Sequence, residues 1–255
     1  MRDQMQDRGP AAYIAEFVGT LLLVFFIVCV VSVFAAQPSA QNPNPFIDWS
    51  VIGLAHVFVL LVLIQTLALA SGAHFNPAIT AALTVMRQIK PPDAAIYVVA
   101  QLGGAVAGAL IAKLLLNSFD NADAVNFGAT LVSEDRLDGK LLLGMIAEFM
   151  GTFFLLWAVI GVAVNPRAAK DWAALTIAAA LGLGVMVIGP LTGAGFNPAR
   201  SFGPALVSGE WGGAADFLLV YVAAPLLGAV AAAVLYGYVI LAPGAKGPSE
   251  MEPVG

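Results

Sequence analysis

The sequence predicts an all-α membrane protein with six transmembrane helices and two re-entrant half-helices, arranged as an inverted repeat of three helices. Three observations predict it. Of 255 residues, 60% are hydrophobic and 11% charged, with mean hydropathy +0.89, against roughly 45–50% apolar residues in soluble domains. Six stretches, at about 11–36, 49–70, 94–116, 140–164, 171–189 and 215–241, reach the roughly 20 mostly apolar residues that a spanning helix needs. The chain also repeats itself in order, and three spans per copy is an odd number, so the second copy lies upside down relative to the first.

Taken in order, the opening "MRDQMQDRGP" is mixed in charge, and the apolar run after it is too long for a signal-peptide core, so it reads as a retained first helix. That run holds the chain's one cysteine, Cys29, so a disulfide within the chain is excluded. The second run, from Trp49, leads into "SGAHFNPAIT" at 71–80, and the fifth leads into "TGAGFNPARS" at 192–201. Each motif opens a shorter apolar segment, which reads as a half-length helix. The long segment 117–139 is expected to fold over the outer mouth, with Asn126 as a contact there. The tail at 242–255 is expected to be a disordered cytoplasmic extension.

The repeat carries more than any single motif. "IAEFVGT" at 14–20 returns as "IAEFMGT" at 146–152, "GAHFNPA" as "GAGFNPA", and "YVVAQLGGAVAGA" at 97–109 as "YVAAPLLGAVAAA" at 221–233. The offsets are 132, 121 and 124 (146−14, 197−76, 221−97). This is one channel-like domain over 1–255, with a first half at 11–116 and a second at 140–241. An inverted repeat puts its site between corresponding segments, near the membrane midplane. Lys and Arg set the orientation: Arg2, Arg8, Arg87, Lys90, Arg167, Lys170 and Lys246 fall on one side, against Lys113, Arg136 and Lys140 on the other. This bias places both termini in the cytoplasm. Gly19, Gly104, Gly108, Gly151, Gly182, Gly184 and Gly228 read as positions of close helix crossing.

Asn followed by Pro writes a helix start compactly, because Asn caps well and Pro is pre-set for the first helical position. Asn42-Pro43, Asn44-Pro45 and Asn165-Pro166 occur too and read as ordinary loops. Asn76 and Asn197 differ because they hold the same place in an inverted repeat, each after a stretch that breaks the helix at membrane depth. Non-helical backbone survives there only when buried in protein or lining a watery cavity. Inversion makes the two half-helix N-termini meet at mid-membrane, each carrying about half a positive charge. A cation is repelled there, whereas a water molecule can accept hydrogen bonds from both Asn amides.

With two Asn-Pro-Ala boxes (Asn76, Pro77, Ala78 and Asn197, Pro198, Ala199), "AEFVGT" and "AEFMGT" with Glu16 and Glu148, and "GFNPARSFGP", the sequence resembles the aquaporins and aquaglyceroporins, the major intrinsic protein family, along essentially its whole length. The resemblance implies a homotetramer in the plasma membrane whose monomers each carry a pore, with passive conduction and no cofactor. It also implies a four-residue filter outside the boxes. One member is Arg200; alignment by distance from the boxes gives His56, Val185 and Ala194 as the others. His56 is seven residues from Trp49, roughly 11 Å along a helix. Water channels of the family usually carry Phe and His at the helix-two and helix-five positions, and glycerol facilitators Trp and Gly. This chain has neither pair. Ser201, Ala205 and Tyr221 resemble the water-channel side. His with an aliphatic partner is similar to plant tonoplast-type channels, whose filters also pass ammonia, urea or hydrogen peroxide.

A charge inside a span suggests function by default, and the repeat counterpart of Arg200 is Ile79 (both box Asn + 3), so the pore is asymmetric. Glu16 and Glu148 allow two readings: a proton relay of a coupled transporter, or acceptors holding the box loops in place. Their symmetric placement favours the second, with His74 and Gln101 as further support for the loops, although Pro225 replaces Gln101 in the second half. The expected function is single-file conduction of water, with small neutral solutes as an open addition, while protons and ions are excluded. A wider facilitator for ammonia, urea, hydrogen peroxide or glycerol stands as the alternative, and an ion-coupled transporter as a distant one. With two His, one Cys and net charge −5, the chain offers no nucleophile and base pair, no metal-ligand spacing and no basic patch for nucleic acid.

Overall fold

The computed structural model describes residues 9–36, 46–118 and 120–241. The expected tail, the Asn-Pro pairs at 42–45, and Arg2, Arg8 and Lys246 lie outside the described residues. Among the described residues, six helices are long and apolar enough to cross a membrane: Pro10–Val33, Trp49–Ser71, Pro91–Leu116, Leu141–Val164, Ala173–Thr192 and Ala214–Ile240. Two half-helices, Pro77–Val85 and Pro198–Ser208, follow the second and fifth spans.

The boundaries follow from local chemistry. Pro occupies the first turn of the first and third spans and of both half-helices, where its missing N–H costs nothing. Asp48 caps the second span by accepting from Ser50 N at 3.1 Å and Val51 N at 3.2 Å. The first span ends at Val33, short of the expected 36, because Ala35 and Ala36 pair in a two-residue antiparallel ribbon with Ile47 and Phe46. The third begins at Pro91 rather than 94, because the Pro91-Pro92 pair starts the helix instead of preceding it. The fifth runs through Pro190 to Thr192, past the expected stop at 189. Its last turn is tied back to Glu148 by the Thr192 hydroxyl. Beyond the fourth span, Lys170 Nζ donates to the carbonyls of Val162, Ala163 and Asn165, closing the helix end.

The spans pack in the pairs the repeat requires. The first lies against the third, the fourth against the sixth, and the second meets the fifth, its own counterpart. The first half-helix leans on the sixth span and the second on the third, so each half supports the other's re-entrant element. Small residues make these approaches possible. A Cβ on Gly104 would stand 2.2 Å from the Phe17 carbonyl oxygen, and one on its counterpart Gly228 would stand 2.3 Å from that of Phe149. Leu69, Leu114, Val99 and Phe58 point outward with most of their surface uncovered, as suits a lipid solvent. Glu16, Gln101, Glu148, His56 and Arg200 are buried.

Candidate pore

Both box loops are built by the same backbone recipe. The second and fifth spans end on left-handed glycines, Gly72 (φ 88°) and Gly193 (φ 79°). The chain then takes left-handed conformations at Ala73 and Phe75 in one loop (φ 52° and 49°) and at Ala194 and Phe196 in the other (φ 50° and 52°). Non-glycine residues there cost on the order of 1–3 kcal/mol each and persist only where their surroundings enforce them.

The enforcement comes from two buried carboxylates. Glu16 accepts from Ser71 Oγ (2.6 Å), His74 N (2.9 Å), Phe75 N (2.6 Å) and Gln101 Nε2 (2.8 Å). Glu148 accepts from the Thr192 hydroxyl, Gly195 N (2.8 Å) and Phe196 N (2.7 Å). Tyr97 OH and Tyr221 OH donate to the carbonyls of Ser71 and Thr192 at 2.7 and 2.9 Å. Every strained residue thus lies beside a backbone N–H held by a carboxylate or a hydroxyl. Phe75 and Phe196 are wedged against glycines: a Cβ on Gly19 or Gly151 would come within 2.1 or 2.0 Å of their rings.

Asn76 and Asn197 complete the loops. Asn76 Oδ1 caps its half-helix by accepting from Ala78 N at 2.8 Å; Asn197 Oδ1 accepts from Ala199 N and Arg200 N at 3.0 and 3.2 Å. Their amides cross over: Asn76 Nδ2 donates to the Phe196 carbonyl at 2.9 Å, and Asn197 Nδ2 to the Phe75 carbonyl at 2.8 Å. A side-chain amide has two N–H groups, so each Asn keeps one. The crossing bonds are a structural role of the amides that the sequence did not suggest.

A cavity surrounds the two boxes, reaching Arg200 and His56 on one side and Ile79 and Leu60 on the other; about 30 Å³ of it is open to water centres, above the roughly 10–15 Å³ that one water needs on that measure. Its wall is made largely of repeat pairs: Leu23 with Leu155, Leu60 with Leu181, Asn76 with Asn197, His74 with Gly195 and Ile79 with Arg200; His56, Ile27 and Ala194 complete it. His56 Nδ1 is 2.8 Å from the Ile52 carbonyl, so this nitrogen carries the proton, while Nε2 has no partner among the described groups. Arg200 donates to the carbonyls of Gly128 (2.9 Å) and Gly193 (3.4 Å), and its Nε has no partner among them. His74 sits 3.1 Å from Thr80 Oγ1 and edge-on to Tyr97, and also lines the cavity, so it braces and borders at once.

One expectation needs amending. The segment at 117–139 does reach Arg200, but through the Gly128 carbonyl and not through Asn126. Val185 and Leu181, one turn apart on the fifth span, are both buried, and of the two Leu181 borders this cavity. Leu23, Ile27, Leu60, Leu155 and Leu181 went unremarked in the sequence because aliphatic residues in apolar spans carry no local signal. The repeat offsets that link Leu23 to Leu155 and Leu60 to Leu181 could have found them.

The family model for the major intrinsic proteins matches residues 7–236. The chain belongs to the major intrinsic protein family. Among similar proteins, nodulin-26 of Glycine max is 37% identical over 226 residues, covering 89% of this chain and 76% of its own. A probable aquaporin of Archaeoglobus fulgidus is 37% identical over 241 residues, covering 89% of this chain and 95% of its own. A glycerol uptake facilitator protein-like protein of Lactiplantibacillus plantarum is 36% identical over 223 residues, covering 87% and 94%. In fold, the chain is similar to the aquaglyceroporin of Plasmodium falciparum, with TM-score 0.74 and 24% identity over 90% of this chain and 96% of that one. Major intrinsic proteins are channels and not enzymes, so this chain is a multi-pass membrane channel of the aquaporin and aquaglyceroporin family.

Proposed function

We propose that the channel conducts water in single file, admits small neutral solutes beside it, and excludes protons and ions. One observation carries the reading: Asn76 and Asn197 each keep one amide N–H at a narrow cavity with room for water, between two helix N-termini. A water oxygen accepting both N–H groups turns its hydrogens along the file, so neighbouring waters pass on while a cation meets two positive helix ends. Arg200, His56 and Ala194 replace part of the hydration at the outer constriction, with Val185 as the fourth filter residue. Glu16, Glu148, His74 and Gln101 hold the loops. Apolar walls elsewhere keep binding weak enough for exit. By family resemblance the proposal extends to a homotetramer in the plasma membrane with both termini in the cytoplasm.

A wider facilitator is the second reading, favoured by the small side chains of Val185 and Ala194 and by the relative named for glycerol uptake. Reconstituted vesicles distinguish the two. After a shock with urea or glycerol, rapid shrinkage without reswelling supports a water filter; channel-dependent reswelling supports the wider pore. Solute flux that follows a proton or sodium gradient instead would overturn both in favour of coupled transport.

A further inference from the structure

The two loop anchors are not equivalent, and the difference concentrates at one spot. In the first half, Gln101 Nε2 bridges Glu16 Oε2 at 2.8 Å and Thr80 Oγ1 at 3.0 Å, with His74 Nδ1 3.1 Å from the same hydroxyl. Thr80 Oγ1 also donates to the Asn76 carbonyl at 3.1 Å. The repeat counterparts are Pro225 for Gln101, Ser201 for Thr80 and Gly195 for His74. Each replacement removes atoms from that spot: a side-chain amide, a methyl and an imidazole.

The polar groups left behind are short of partners. Ser201 is fully buried, and its Oγ has no hydrogen-bond partner among the described residues. Among the described residues, Glu148 Oε2 receives only Phe196 N, whereas Glu16 Oε2 receives Phe75 N and the Gln101 amide. The point where a Gly195 Cβ would stand is 2.6 Å from Ser201 Oγ, 3.0 Å from Glu148 Oε2 and 3.0 Å from Tyr221 Cδ1, so both oxygens border the place a side chain at 195 would fill, with the Tyr221 ring as its third wall. A buried hydroxyl without a partner is costly, and a second acceptor site on a buried carboxylate calls for a donor. Water supplies two donors and two acceptors and settles where a polar site has room and several partners.

We infer that the second half holds one fixed, non-transported water molecule bridging Ser201 Oγ and Glu148 Oε2, in the place the Gln101 amide fills in the first half. It accepts from the Ser201 hydroxyl and donates to the carboxylate. It therefore does for the second box loop what a side chain does for the first. The inference rests on the fold and on these contacts, and not on which solute the pore passes.

The test compares the full-length protein with its Pro225→Gln variant in crystal structures that resolve ordered waters. The expected result is a single water peak within hydrogen-bond distance of both Ser201 Oγ and Glu148 Oε2, replaced in Pro225→Gln by the new amide. A Ser201 hydroxyl turned onto the Asn197 carbonyl, or bonded directly to Glu148 with no peak, overturns it. Thermal unfolding of Ser201→Ala in detergent gives a second reading with a sign. Losing a bridged hydroxyl lowers the midpoint by a few degrees. An unchanged or raised midpoint, as expected for removing an unpaired hydroxyl, overturns the bridge.

Discussion

Asn76 donates its amide to the Phe196 carbonyl, the residue before Asn197, at 2.9 Å, and Asn197 returns the bond to the Phe75 carbonyl, the residue before Asn76, at 2.8 Å. Two loops more than a hundred residues apart in sequence therefore fix each other's depth. The same two side chains cap the half-helices through Oδ1 and border the central cavity.

Asn76→Asp keeps the acceptor that caps Ala78 and removes the donor that reaches Phe196. It also sets a negative charge between two helix N-termini, which invites cations. The expected cost is about 1–3 kcal/mol of stability, together with a faster proton leak in vesicles carrying a pH-sensitive dye. A leak equal to wild type would contradict the account of proton exclusion.

Glu16→Gln gives two N–H groups to a site where two backbone N–H groups, a hydroxyl and the Gln101 amide all need an acceptor. The left-handed Phe75 then loses its enforcement. Destabilisation of about 3 kcal/mol or more is expected, read as a lower midpoint and a shrunken folded peak in size-exclusion chromatography. Glu148→Gln follows it.

Gly104→Ala and Gly228→Ala drive a methyl into a backbone carbonyl that cannot rotate away. Each is expected to cost about 1–3 kcal/mol or more. Gly103→Ala is the internal control, since its nearest contact would be 3.4 Å from the Phe17 ring; it should stay within about 0.5 kcal/mol of wild type. Thermal unfolding of all three variants side by side checks the ordering.

Leu181→Ala and Val185→Ala compare the cavity wall with the proposed filter one turn further along the fifth span. Leu181 borders the cavity, so its truncation widens the path and raises urea or glycerol permeability several-fold relative to water. Val185→Ala, at the proposed filter, should raise it as well. Unchanged solute flux in Val185→Ala would remove Val185 from the filter and leave the fifth span's selectivity to Leu181.

Much of this was legible in the sequence, because the repeat imposes long-range constraints that local propensity lacks. The odd number of spans per copy fixed the inversion, and the Asn-Pro boxes fixed where each half-helix starts. Glu16, Glu148 and Gln101 could be assigned to loop support because a buried carboxylate in a span needs donors. What escaped had no local signature. The crossing of the Asn amides depends on backbone carbonyls, which every residue carries. Leu181 and Gly128 act through position alone, and Ala35 in the ribbon depends on a partner, Ile47, twelve residues away (47−35). The fifth span outran its Gly-Pro stop because a tertiary bond to Glu148 overrode the local signal.

Arg200→Ala, measured beside wild type in the same vesicles for osmotic water permeability and proton flux, tests the central claim most directly. The account predicts fast water flow with no proton flux in wild type, and retained water flow with raised proton or solute passage in the variant. Wild-type vesicles that shrink no faster than empty ones, or a variant with unchanged selectivity, would contradict it.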